Sequence, residues 1–206
     1  MDKILFVFIT HQNNIEKTHR KVSSMMDILN NRNYIIVQGG CDRNTYDINS
    51  KILSLNCNDK YEGLPEKILK TYKYIIESDI FDQYTHIIKL DDDIIIRKSI
   101  DYNDIKDINY GGITQYNEGN RNWHRGKCSN TSRFNCNKYS GIFVPWCKGG
   151  YGYVISRISI NLIKNDSTYK DVIYEDLYIA ILLKEKNIHP KNIDDWKLFF
   201  ISPDHK

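Results

Sequence analysis

Residues 85–96 read THIIKLDDDIII. From Thr85 to Leu90 the run is mostly apolar, the pattern of a strand buried on both faces. It stops at three consecutive aspartates, Asp91, Asp92 and Asp93, and an extended run resumes at Ile94-Ile95-Ile96. Working outward, Ile4 to Ile9 is a second continuous apolar run. After it, Ile15, Val22, Met25 or Met26, and Leu29 recur at helical spacing, so a helix is expected over about 15–30. Tyr34 to Val37 reads as a strand closed by Gly39-Gly40, and Lys51 to Leu55 as a short one. Helical spacing returns at about 62–77, with Pro65 suited to a first turn and a stripe of Leu64, Ile68, Tyr72, Ile75 and Ile76. Strand, helix, strand, strand, helix, strand is the rhythm of an α/β domain with a mostly parallel central sheet. Such sheets bind ligands beyond the carboxyl ends of their strands, and the aspartates sit at such an end.

The whole chain supports one folded unit. It has 206 residues and a mass of 24.3 kDa, with 41% hydrophobic, 27% charged and 12% aromatic residues. These fractions exclude a disordered or collagen-like chain. The formal charge of +3, spread along the sequence, argues against a polybasic grip on nucleic acid. No run of apolar residues is long enough for a transmembrane helix, and Ile4 to Ile9 is too short for a secretory signal, so the cytoplasm is the expected compartment. Residues 114–148 are rich in Asn, Ser, Arg, Trp and Cys and lack aliphatic periodicity, the mark of a binding loop or lid. YEDLYIAILLKEKNI, from Tyr174, reads as a helix of about 12 residues. Residues 190–206 read as irregular.

Four features could carry chemistry. Three adjacent carboxylates repel one another unless a cation neutralises them, and hard oxygen ligands suit Mg²⁺ or Mn²⁺. On an extended chain Asp91 and Asp93 point to the same side; a solvated acidic turn is the plain alternative. Glu175-Asp176 stands in the first turn of a helix, where the dipole favours carboxylates; one of the pair could equally be a general base. Gly149-Gly150-Tyr151-Gly152-Tyr153 reads as a tight turn or as a close backbone approach to a ligand. Tyr151 and Tyr153, with Trp146 and Trp123, offer either faces for sugar rings or small cores. His205 is a surface residue or a further metal ligand. Five cysteines cannot all pair, so reduced thiols are expected first. A bridge among Cys128, Cys136 and Cys147 is an alternative, and a zinc site of these three with His124 is a weaker one, because the spacing contains no C-x-x-C.

Taken in order, four stretches resemble the Fringe and β-1,3-galactosyltransferase family (glycosyltransferase family 31). LNCNDKYEGLPEKILKTYKYI is similar to the family's D-x-Y-x-N-L-x-x-K helix, and YTHIIKLDDDIII to its D-x-D strand. WCKGGYGYVISR is similar to its G-G-x-G-Y-V-L-S segment, and YEDLYIAILLKEKNI to its E-D-V-x-x-G helix. The resemblance covers roughly residues 55–190. It implies a GT-A fold, with a nucleotide-binding half at about 1–97 and an acceptor-binding half at about 98–206. It also implies a UDP-sugar donor, Mn²⁺ (or Mg²⁺), a glycan or glycoprotein acceptor, and transfer of a hexose or N-acetylhexosamine with inversion. Position by position, Asp93 matches the main metal ligand, Asp91 the aspartate near the ribose, Asp176 the base with Glu175 beside it, and His205 a late metal-binding histidine. Thr10, Lys67, Asp92, Gly149 and Gly150 fall where the family contacts the nucleotide sugar. Three positions depart from the pattern: Gly63 for asparagine, Leu177 for valine and Ala180 for glycine, and the family's usual membrane anchor and stem have no counterpart. Rival readings are a glycoside hydrolase, a metal-dependent nucleotidyltransferase and a silent sugar- or UDP-binding module.

Overall fold

The computed structural model describes residues 3–29 and 33–201. In chain order the strands are β1 (Ile4–Ile9), β2 (Tyr34–Gln38), β3 (Thr45–Asp47), β4 (Ile52–Ser54), β5 (His86–Asp91), β6 (Ile95–Ile96), β7 (Tyr110–Gly112), β8 (Thr114–Gln115), β9 (Trp146–Cys147), β10 (Tyr153–Ser156), β11 (Lys191–Asn192) and β12 (Phe200–Ile201). The α-helices are α1 (Ile15–Ser24), α2 (Leu64–Glu77), α3 (Tyr102–Ile105), α4 (Arg157–Ile163), α5 (Glu175–Glu185) and α6 (Trp196–Phe199). Eight strands make one sheet in the order β11-β7-β10-β5-β1-β2-β4-β3. Its centre, β5-β1-β2-β4, is parallel, as the apolar runs indicate. The result is the expected α/β architecture, a mostly parallel central sheet flanked by helices.

Each face of the sheet builds its own core. Alternation along β5 sends Ile87 to one and Ile88 and Leu90 to the other. The first core packs under α2, α4 and α5, and the second under α1, β6, α6 and β12. Helix α5 is apolar around most of its surface, with Leu177, Tyr178, Ile179, Ala180, Leu182 and Leu183 all buried. That is the pattern of a helix enclosed by the fold rather than laid on it. It packs against α2 and α4, and the two substituted positions, Leu177 and Ala180, lie inside this packing.

Two readings of the sequence are corrected and one is extended. The helix expected over about 15–30 ends at Ser24, where the Ser24 hydroxyl donates to the Lys21 carbonyl and Met25 and Leu29 turn into the second core. The sheet gains β10, which runs antiparallel between β5 and β7, and the antiparallel edge strand β3. The segment 190–201 is not irregular: β11 joins the sheet, and α6 and β12 pack on the second core, with Trp196 fully buried.

Candidate functional site

Register sets the first wall of the site. β1 and β5 pair with Ile9 opposite Asp91, so both strands end at the same level. Asp91 and Asp93 line a cleft of about 520 Å³. Asp92, in the turn that follows β5, points the other way. Its Oδ2 accepts from the Thr10 hydroxyl (2.7 Å) and from Asn14 Nδ2 (3.2 Å), and its carbonyl accepts from Lys21 Nζ (2.9 Å). Thr10 and Asp92 therefore meet each other rather than the cleft. Lys67, 1% exposed, donates to Asp59 Oδ1 (2.5 Å) and to the Thr10 carbonyl (2.8 Å). Asp59 also accepts from the backbone N–H of Gln12 (2.7 Å) and Gly39 (2.8 Å). Burial opposes its charge, but Lys67 and these N–H donors outweigh it and hold the Asp59 carboxyl below its ordinary pKa. Lys67 and Asp59 thus fix the loops after β1 and β2.

The opposite wall comes from the first turn of α5, and the two acids there have different surroundings. Glu175 is buried; its Oε2 accepts from Lys89 Nζ (2.9 Å) and its Oε1 from the Tyr153 hydroxyl (2.6 Å). Lys89 also donates to Asp91 Oδ1 (2.6 Å). Burial disfavours the Lys89 ammonium, yet Asp91 and Glu175 overcome it and raise its pKa. Burial pushes the Glu175 carboxyl up, and Lys89 opposes this. Asp176 has no side-chain ion pair among the described residues. Its Oδ2 accepts from Gly149 N (2.8 Å) and its Oδ1 from Leu177 N (2.8 Å). Burial raises its pKa against the pull of Gly149 N–H and Lys89. Both residues line the cleft. Glu175 is held in an ion pair with Lys89 and Asp176 is not, so Asp176 is the better placed of the two to accept a proton.

The glycine segment supplies the floor. Gly149 and Gly150 line the cleft, and a side chain at Gly149 would bring its Cβ within 3.2 Å of Asp176 Cβ. The glycine thereby allows the N–H approach to the Asp176 carboxylate. Gly152 has φ +70, and a Cβ there would lie 2.5 Å from Leu90 Cδ2 and 2.7 Å from the Lys89 carbonyl. This is the expected tight turn, and Trp196 clamps it by donating Nε1–H to the carbonyls of Tyr151 (3.0 Å) and Gly152 (3.1 Å). Of the four aromatic residues read as sugar faces, Trp123, Trp146 and Tyr151 line the cleft. Tyr153 does not: it is fully buried, hydrogen-bonded to Glu175 and Tyr72, and belongs to the core. Tyr61, the tyrosine of the D-x-Y-x-N-L-x-x-K segment, also lines the cleft, as do Phe143 and Tyr174; no periodic signal marks the last two, because they come from separate segments.

The segment 114–148 covers one side of the cleft through Glu118, Gly119, Asn120, Trp123, Lys127 and Phe143. Its anchor is His124, 1% exposed. Its Nε2 lies 2.9 Å from the carbonyls of both Phe134 and Asn137, and its Nδ1 lies 2.9 Å from the Tyr174 hydroxyl. A histidine engaged in this way is a structural hub, and no group of three or more metal-ligating side chains forms among the described residues. The zinc reading is therefore set aside. The cysteine bridge is set aside as well, since all five cysteines are free thiols. Burial pushes the Cys147 thiol up to about 12 and the Cys57 thiol up to about 11, so both stay protonated.

Asp91 and Asp93 present hard oxygen ligands to the cleft, of the kind a divalent cation takes. Mg²⁺-type sites take one or two protein carboxylates and complete their shell with phosphate and water. His205, the expected additional ligand, lies outside the described residues.

A family model described as Galactosyltransferase matches residues 45–194, well over half of the chain. Comparison with curated protein sequences gives no match. Among solved structures the chain is similar to A197 from STIV, at 16% identity over 100% of this chain and 92% of that one, with a TM-score of 0.49. It is also similar to a Bacillus anthracis protein named as a glucose-1-phosphate thymidylyltransferase, in complex with sucrose, at 9% identity over 93% and 87% of the two chains, with a TM-score of 0.47.

Proposed function

This chain belongs to the galactosyltransferase family, and from that membership we propose that it moves a hexose or N-acetylhexosamine from a UDP-sugar to a hydroxyl of a glycan or glycoprotein, with inversion at the anomeric carbon. One observation carries the reading. Asp91 and Asp93 on one wall, and Asp176 on the other, open onto the same cleft, and all three lie inside the family-matched stretch.

Asp91 and Asp93 would hold Mn²⁺ or Mg²⁺ against the donor's diphosphate; a cation bound there supplies positive charge that stabilises the departing UDP. Asp176 accepts the proton of the acceptor hydroxyl as that oxygen bonds to the anomeric carbon. The bond from that carbon to the UDP oxygen breaks on the opposite side, and inversion follows. Glu175, tied to Lys89 and Tyr153, keeps the turn that carries Asp176 in place. Trp123, Trp146 and Tyr151 offer apolar faces for sugar rings. The 114–148 wall excludes water that would otherwise hydrolyse the donor.

A UDP-release assay across nucleotide sugars with Mn²⁺ tests the proposal. Turnover of at least one UDP-sugar that ceases in excess EDTA is the expected result. Undiminished turnover in excess chelator, or no binding and no turnover of any UDP-sugar, overturns it.

A further inference from the structure

Lys89 stands at a costly position. It lies on β5 with Val7 of β1 on one side and Tyr153 of β10 on the other, and it is 2% exposed. A buried ammonium with carboxylate partners rarely adds net stability over a well-packed apolar side chain. The fold has apolar residues on either side in β5, so cohesion alone does not call for a lysine here. What the ammonium does have is reach in two directions. It donates to Asp91 Oδ1 (2.6 Å) on its own strand and to Glu175 Oε2 (2.9 Å) at the start of α5. The next residue, Asp176, is tied to Gly149 N (2.8 Å). Asp91, Lys89, Glu175, Asp176 and Gly149 thus form one continuous chain of bonds around the cleft. Tyr153 completes it by holding the second oxygen of Glu175, and Tyr72 in turn holds the Tyr153 hydroxyl (2.9 Å).

We propose that Lys89 is a positioning residue that couples the nucleotide-holding wall to the proton-accepting wall, setting Asp91 and the Asp176-bearing turn of α5 in one fixed relation. The inference rests on the reading of the cleft as a UDP-sugar site. Lys89 acts through Asp91 and Glu175 and does not itself line the cleft. A purely electrostatic lysine would compete with a cation for Asp91, so its removal would tighten Mn²⁺-dependent UDP binding. A positioning lysine has the opposite sign: its removal leaves Asp91 without its orienting partner and weakens that binding. Loss of partners that orient metal-holding carboxylates costs roughly 10- to 100-fold in affinity or activity.

The test uses Lys89→Met, Glu175→Gln and the double variant, each measured for thermal midpoint, for UDP binding with Mn²⁺ by calorimetry, and for UDP release. In the double variant both buried charges are gone and Gln can still accept from Tyr153, so the midpoint should return to near that of the wild type. UDP binding and turnover should stay about 10- to 100-fold down. If binding and turnover recover together with the midpoint, or if Lys89→Met binds UDP and Mn²⁺ as tightly as the wild type or more so, Lys89 is only a neutralising charge and the inference falls. Should the methionine variants fail to fold, Glu175→Gln decides, since it removes the link but keeps the Lys89–Asp91 pair. It should bind UDP normally with kcat reduced, and wild-type turnover by this variant overturns the inference. A wild-type protein that neither binds nor turns over a UDP-sugar would instead remove the parent reading, so the two failures are distinct.

Discussion

Asp176 receives backbone N–H groups on both carboxylate oxygens, yet burial still lifts its pKa. As the proposed base, Asp176 must be ionised to work, so the acid limb of kcat/KM should lie above the ordinary aspartate range. Activity falls as pH drops through that raised value, and a pH–rate profile reads it directly. Asp176→Asn should keep Mn²⁺-dependent UDP binding while lowering kcat by about 10²- to 10⁴-fold, the usual worth of general base catalysis. The pairing of Asp91 with Asp93 was legible in the sequence from an extended-chain reading, although the structure brings the two together through a turn after β5. The separate roles of Glu175 and Asp176 were not: both stand in the same helical turn, and the difference arises from Lys89 and Tyr153, which come from other strands. Lys89 itself was invisible, since a lysine within an apolar strand run gives no sign of what it meets.

Among the elements, the long parallel strands and α2 could be read because their apolar periods run for several residues. Strands of two or three residues, such as β7, β9 and β11, are too short to show a period, and tertiary pairing alone defines them. Gly63 shows how an element explains a departure from the family pattern. It closes the turn into α2, and a Cβ at this position would run into the backbone carbonyl of Asn58. The asparagine of the family motif does not fit this turn. Gly63→Asn should destabilise the protein by about 1–3 kcal/mol, as overpacking does, measured by chemical denaturation.

Across the whole molecule, the segment after α5 returns over the sheet and seats Trp196 in the second core, against the turn that also forms the cleft floor. Trp196→Ala should cost about 3–5 kcal/mol in a denaturation experiment, the usual range for a buried tryptophan. The sequence concealed this closure because Trp196, Phe199 and Phe200 sit on elements of only two to four residues, too short to show a period. The sheet separates two cores, and successive residues at the end of β5 answer to different ones. Asp92→Ala should lower stability by roughly 1.5–3 kcal/mol through its lost bonds to Thr10 and Asn14, with Mn²⁺-dependent UDP binding intact at the protein's working temperature. Three consecutive codons thereby encode two separable traits. An engineer can retune scaffold robustness at the middle one and leave the chemistry alone, whereas deleting any single codon of the trio leaves two aspartates and strips one carboxylate from the cleft.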